Sequence, residues 1–90
     1  MREREIEAYF VKRVKEAGGL QRKFVSPSHK GVPDRIAVLS RGICFVELKA
    51  PGKGLRPDQV REHAKLTKAG CRVYTIDSLE AVDYFIAREA

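Results

Sequence analysis

The chain has 90 residues, 43% hydrophobic and 33% charged, with 18 Lys and Arg against 12 Asp and Glu for a net charge of +6. That composition excludes a disordered polypeptide, and no apolar run approaches the roughly 20 residues of a membrane span. A chain of this length predicts one domain, residues 1–90, with a modest core, and its basic balance points to a polyanionic partner.

Residues 2–17 predict an amphipathic helix. Ile6, Phe10, Val14 and Ala17 recur on one stripe, Tyr9 and Val11 flank it, and Gly18-Gly19 stops it. Glu3 and Glu7 stand one turn apart on this helix. Glu7 borders the apolar stripe, where it can point along a sheet, although both acids also suit the positive end of a helix. Residues 20–26 (LQRKFVS) predict a first strand whose apolar surface is Leu20, Phe24 and Val25. The polar loop Pro27–Val32 follows. Lys23, Ser26, His29 and Lys30 are candidate phosphate contacts there, because loops beside a catalytic end carry substrate contacts. His29 is also a candidate general base, against the ordinary reading of a solvent-exposed loop histidine.

Pro33 pushes Val32 towards extended geometry and sets Asp34 at the entrance of the strand RIAVL, residues 35–39. A turn from Ser40 to Gly42 folds that strand back on residues 43–50 (ICFVELKA), a nearly continuous apolar run of the kind covered on both faces. Alternation puts Ile43, Phe45, Glu47 and Lys49 on one face and Cys44, Val46, Leu48 and Ala50 on the other. Burying an unpaired carboxylate costs several kcal/mol or more, and a buried Glu–Lys pair seldom repays its desolvation. Stability alone would place Val or Ile at 47 and 49, so the two charges mark a site. The hairpin brings Asp34 beside them. Two carboxylates and a lysine make a hard, oxygen-rich pocket suited to Mg²⁺ or Mn²⁺, beside a hydrolytic centre, and unlike the Cys and His sites of zinc.

Residues 51–55 (PGKGL) form a flexible loop with Lys53 at its tip. Pro57 suits a helix first turn, with Asp58 at its positive end, and this helix runs to Ala69 before Gly70. Gln59, Val60, His63, Ala64 and Thr67 share its inward stripe, His63 as a half-buried structural histidine. Residues 71–76 (CRVYTI) alternate as a last strand. Asp77-x-x-Glu80 predicts a capping box for a final helix carrying Leu79, Val82, Tyr84, Phe85 and Ile86. Cys44 and Cys71 fall in strand patterns, as reduced thiols of a cytoplasmic protein, and no signal peptide opens the chain. The order αβββαβα predicts an α/β fold with a mixed four-stranded sheet between helices, closed by a right-handed parallel crossover from 43–50 to 71–76.

Pro33-Asp34 followed, after a short hairpin, by Glu47-Leu48-Lys49 resembles the PD-(D/E)xK nuclease signature. The wider text is similar to the VRR-NUC (virus-type replication-repair nuclease) branch: Ile6-Glu7, Gly18-Gly19, Lys23-Phe24, Gly31 to Arg35, Phe45 to Gly52, and Arg56-Pro57-x-Gln59. The resemblance implies a restriction-endonuclease-like core and a catalytic set of Glu7, Asp34, Glu47, Lys49 and Gln59. Mg²⁺ or Mn²⁺ would be held by Asp34, Glu47, the Leu48 carbonyl and a carboxylate from the first helix, for which Glu7 matches best and Glu3 second. Gln59 would hydrogen-bond the attacking water, a metal ligand or a phosphate, with Lys23, Ser26, Lys30 and Lys53 on the nucleic acid. Stand-alone phage-type domains of this kind imply a homodimer that cuts branched DNA such as Holliday junctions, in recombination, repair or replication. A nuclease of less selective duplex or flap DNA is the first alternative. A catalytically silent DNA-binding module is the second, opposed by the intact Asp34, Glu47 and Lys49, since a carboxylate pair repels phosphate.

Overall fold

The computed structural model describes residues 1–90. Their order is α1 (Glu3–Glu16), β1 (Leu20–Lys23), β2 (Arg35–Leu39), β3 (Gly42–Leu48), α2 (Pro57–Lys68), β4 (Val73–Ile76) and α3 (Leu79–Glu89). The strands form one four-stranded sheet in the order β1-β2-β3-β4. β1 and β2 are antiparallel, as are β2 and β3, whereas β3 and β4 run parallel on either side of α2 in the chain. This is the expected α/β architecture with its mixed sheet.

Period-two alternation builds the core. Ala37 and Leu39 of β2, Cys44, Val46 and Leu48 of β3, and Ile76 of β4 meet Ile6, Phe10 and Val14 of α1 and Val82, Phe85 and Ile86 of α3. Phe10 and Phe85 stack at 5.6 Å between centroids, and Tyr74 meets Phe85 edge-on at 4.9 Å. Fully burying each such side chain contributes roughly 1.5–3 kcal/mol, so this one apolar layer carries most of the driving force. The opposite face of the sheet is covered differently. There α2 buries only Gln59 and His63, two polar side chains.

Several elements are shorter than the sequence pattern predicts, each for a local reason. β1 ends at Lys23 and does not reach Ser26. The Phe24 N–H still donates to the Asp34 carbonyl at 2.7 Å, but the chain then turns, with the His29 N–H donating to the Ser26 carbonyl at 3.2 Å. Leu20 and Val25 lie exposed, and only Phe24 packs, against Phe45. β3 spans Gly42–Leu48, so Lys49 and Ala50 follow the strand. β4 starts at Val73 because Cys71 still belongs to the helix end: its N–H donates to the Leu66 carbonyl while Gly70, at φ +103°, donates to Thr67.

The helices differ in detail as well. Ala17 caps α1 and is exposed. On α2, Val60, Ala64 and Thr67 face outward. The inward stripe is Gln59, His63 and the half-buried Glu62 and Leu66, rotated from the predicted one. The cap of α3 is Ser78, whose hydroxyl accepts from the Ala81 N–H at 3.0 Å, in place of the predicted Asp77 box. No helix is long and apolar enough to cross a membrane.

Candidate active site

The end of β3 and the entrance of β2 meet where antiparallel pairing puts Arg35 opposite Val46. One residue before β2, Asp34 reaches across, and its Oδ2 accepts from the Leu48 N–H at 3.0 Å. That bond fixes the Asp34 carboxylate beside Glu47. Glu47 is 2% exposed, on the face that α2 covers. Its Oε2 accepts from Gln59 Nε2 at 3.0 Å, and Lys49 Nζ stands 3.7 Å from the same oxygen. Its Oε1 is buried with no hydrogen-bond partner, the nearest cationic candidate being His63 Nε2 at 3.9 Å. Burial first, and then the charge of Asp34, push the Glu47 carboxyl up to about 7.

Gln59 is oriented from behind. Its Oε1 accepts from the Arg56 N–H at 2.9 Å, a capping bond at the start of α2, which leaves its NH₂ turned to Glu47. His63, one turn further along, has both ring nitrogens buried and unpartnered, and burial holds its basicity below the usual histidine value. Gly31 seats the preceding loop on this helix. At φ +87°, any Cβ there would lie 2.5 Å from the Asp58 carbonyl oxygen, so only glycine fits.

The structure therefore brings Asp34, Glu47, Lys49 and Gln59 together, as the sequence pattern predicts. Glu7 sits on the other side of Asp34 and is already engaged. Arg35, 6% exposed, donates to Glu7 Oε2 at 2.6 Å and to Gln21 Oε1 at 2.6 Å. Glu7, Glu3, Lys23 and Asp34 line one groove of about 240 Å³. No three Asp, Glu, His or Cys side chains close on one cation position. Arg35 engages only the Oε2 oxygen of Glu7. Lys23, Lys30 and Lys53 are exposed and Ser26 is half-buried. His29 pairs with Glu62 at 2.8 Å, so its ring is turned to α2.

From the sequence, Arg35 enters only as part of the Gly31 to Arg35 run, and His63 only as a structural histidine on the stripe of Gln59. A signal for both existed. Alternation places Arg35 with Ala37 and Leu39 on the inner face, and His63 follows Gln59 by one helical turn.

The donor set tests well against a hard divalent cation. It offers carboxylate oxygens, one of them buried without a partner, and a carboxyl whose acidity burial and the Asp34 charge weaken despite Lys49. An Asp at the mouth of a β-hairpin, a Glu-x-Lys on the adjoining strand and a parallel fourth strand define the PD-(D/E)xK nuclease class. No family model matches the chain. It is 49% identical over 79 residues to "Putative nuclease p44" of Acyrthosiphon pisum secondary endosymbiont phage 1, covering 87% of this chain and 85% of that protein. A solved structure described as "VRR_NUC domain" superposes with a TM-score of 0.87 at 34% identity, over 98% of this chain and 97% of that one. The chain belongs to the VRR-NUC family.

Proposed function

We propose that the protein is a metal-dependent DNA endonuclease. The observation that carries this reading is the buried Glu47 beside Lys49 and the exposed Asp34, with Glu47 Oε1 left without a partner. Asp34, Glu47 and the Leu48 carbonyl would hold Mg²⁺ or Mn²⁺, with Glu7 joining across the groove that it lines with Asp34. Such an ion, when bound, lowers the pKa of a water and neutralises charge on the scissile phosphate.

The chain's own residues do the rest. Gln59 fixes the Glu47 carboxylate by one oxygen and so aims the other. Lys49, its side chain 14% exposed, is a nearly desolvated cation whose three donors can orient the attacking water or a phosphate oxygen. Lys23, Ser26, Lys30 and Lys53 contact the DNA backbone around this centre.

Branched DNA such as a Holliday junction, cut by a homodimer during recombination, repair or replication in a bacterial or phage-infected cytoplasm, is the fullest form of the proposal. A C₂ dimer suits it, since two sites can nick two symmetry-related strands. A seam for that dimer is available in the row Leu20, Val38 and Ile43, which register across three strands and are 57%, 36% and 63% exposed. Less selective cutting of duplex or flap DNA is the second reading, favoured by the same basic surface.

The test compares a four-way junction, a flap and a linear duplex in Mg²⁺, Mn²⁺ and EDTA, with light scattering for the oligomeric state. Cleavage by the wild type in metal, none in EDTA, and none by Asp34→Asn is the expected result. Metal-independent cleavage, or full activity of Asp34→Asn, overturns the site.

A further inference from the structure

A second charged feature lies on the side of α2 turned away from Glu47. A cleft of about 300 Å³ opens between the Pro27–Val32 loop and the helix, lined by His29, Lys30, Asp58, Arg61, Glu62 and Lys65, with no apolar side chain. Its two acids are already engaged. Asp58 accepts from Arg56 Nε at 3.1 Å and from the Arg56 guanidinium terminus at 3.3 Å. Glu62 pairs with His29 at 2.8 Å. Lys30, Arg61 and Lys65 enter no ion pair anywhere in the protein. Three cations thus face one polar cavity with two carboxylates, one of which is paired from outside by Arg56, and the net positive lining complements an anion.

The position of the cleft ties it to the catalytic pair. The loop that forms one wall runs straight into Asp34, and the helix that forms the other carries Gln59, the donor to Glu47. Gly31 packs the two walls together against the Asp58 backbone. Arg61 and Lys65 lie one helical turn apart, about 6 Å along the axis, and so present charge along a line. With no apolar or aromatic wall, the cleft has nothing on which a base could stack.

We propose that this cleft is a subsite for a DNA phosphate that flanks the scissile one, bound by Lys30, Arg61 and Lys65 without regard to base sequence. The proposal rests on the nuclease reading, and it adds α2 to the DNA-contacting surface. The strand would pass from the Asp34–Glu47 pair over the loop and along the outer side of the helix.

The salt dependence of DNA binding tests it. Binding of a labelled four-way junction and a labelled duplex is followed by fluorescence anisotropy in Ca²⁺ between 50 and 200 mM salt. Each duplex phosphate contact contributes about 0.9 to the slope of log affinity against log salt. The double variant Arg61→Gln/Lys65→Gln should lower that slope by about 2 and weaken binding by roughly 10- to 100-fold at 0.1 M salt. Lys12→Gln/Lys15→Gln removes the same charge from exposed positions of α1 and should leave the slope at the wild-type value. Matching thermal melts establish that both variants are folded. An unchanged slope for Arg61→Gln/Lys65→Gln, or equal losses in the two double variants, overturns the subsite while leaving the catalytic reading in place. A wild type that binds neither DNA overturns both.

Discussion

Two carboxylates lie inside this small protein, Glu47 at the end of β3 and Glu89 in the last turn of α3, and their surroundings differ in kind. Around Glu89 every oxygen has a donor. Arg72 forks onto it at 2.8 and 3.0 Å, the Tyr74 hydroxyl donates at 2.6 Å, and Arg41 adds a cation at 4.0 Å. Burial alone would raise the Glu89 carboxyl, but the Arg72 and Tyr74 bonds outweigh it and hold the group below the usual carboxylate range. Around Glu47 the balance is reversed: one amide donates, Lys49 stands off at 3.7 Å, and Oε1 is bare. The Glu89 site is closed and structural. At the Glu47 site one carboxylate oxygen has no protein donor, an arrangement that stability alone does not favour.

The same contrast has opposite consequences for pH. Glu47 rises from an ordinary 4.5 to about 7, so the folded chain binds its proton more tightly than the unfolded one. Its carboxylate therefore subtracts stability above pH 7, and that loss fades as pH falls towards 4.5. Glu89, held low, adds stability at neutral pH and loses it only in acid.

The most direct way to break the contrast is to make the first site resemble the second. Lys49→Arg offers Glu47 a guanidinium fork like that of Arg72, satisfying the bare oxygen with a planar donor where a compact one is needed. Cleavage should fall by roughly 10²–10³-fold, while DNA affinity in Ca²⁺ falls much less. Near-wild-type cleavage would make Lys49 a plain counter-ion, and equal losses in rate and binding would make it a substrate anchor.

Next in size is Glu89→Gln. Removing the charge leaves Arg72 without its partner and should cost about 3 kcal/mol, a fall in Tm of roughly 15 °C at pH 7. A loss below about 1 kcal/mol would show that the end of α3 holds by its apolar contacts alone.

Glu47→Gln should do the reverse. With cleavage abolished, the metal-free variant should be more stable than wild type by about 2 kcal/mol at pH 8 and level with it at pH 4. Equal stability at pH 8 would mean that the carboxylate is better solvated than its 2% exposure implies. The smallest effect is that of Gln59→Leu, which removes a helix cap and the one donor to Glu47. About 1 kcal/mol of stability and roughly tenfold in rate should go together. Loss of stability without loss of rate would restrict Gln59 to capping.

The sheet was legible in the sequence because it obeys a short period. Cys44, Val46 and Leu48 point to the core as alternation requires, and the charges at 47 and 49 stand out against it. Asp34 was legible through Pro33 and the turn that follows. The rest came from contacts between distant positions. Glu7 reads as a helix-start acid facing a metal, and nothing near it in sequence announces Arg35, 28 residues on. The stripe of α2 was misread because its buried side chains are polar, so apolar spacing selects Val60 and Ala64, which face solvent. Glu89 follows Val82, Phe85 and Ile86 at helical spacing and is as deeply buried as they are, although a terminal Glu ordinarily reads as surface.

The amide of Gln59 joins two events that are separate in most helices. Its oxygen holds the Arg56 N–H and its nitrogen holds Glu47, so winding the first turn of α2 and orienting the carboxylate are one motion. Fraying of that turn by a single residue releases the carboxylate along with the cap. The backbone amide of Arg56 is consequently a reporter placed outside the site. Its hydrogen-exchange rate and nuclear resonance frequency should change whenever Glu47 gains a proton or a cation, with no label near the scissile phosphate.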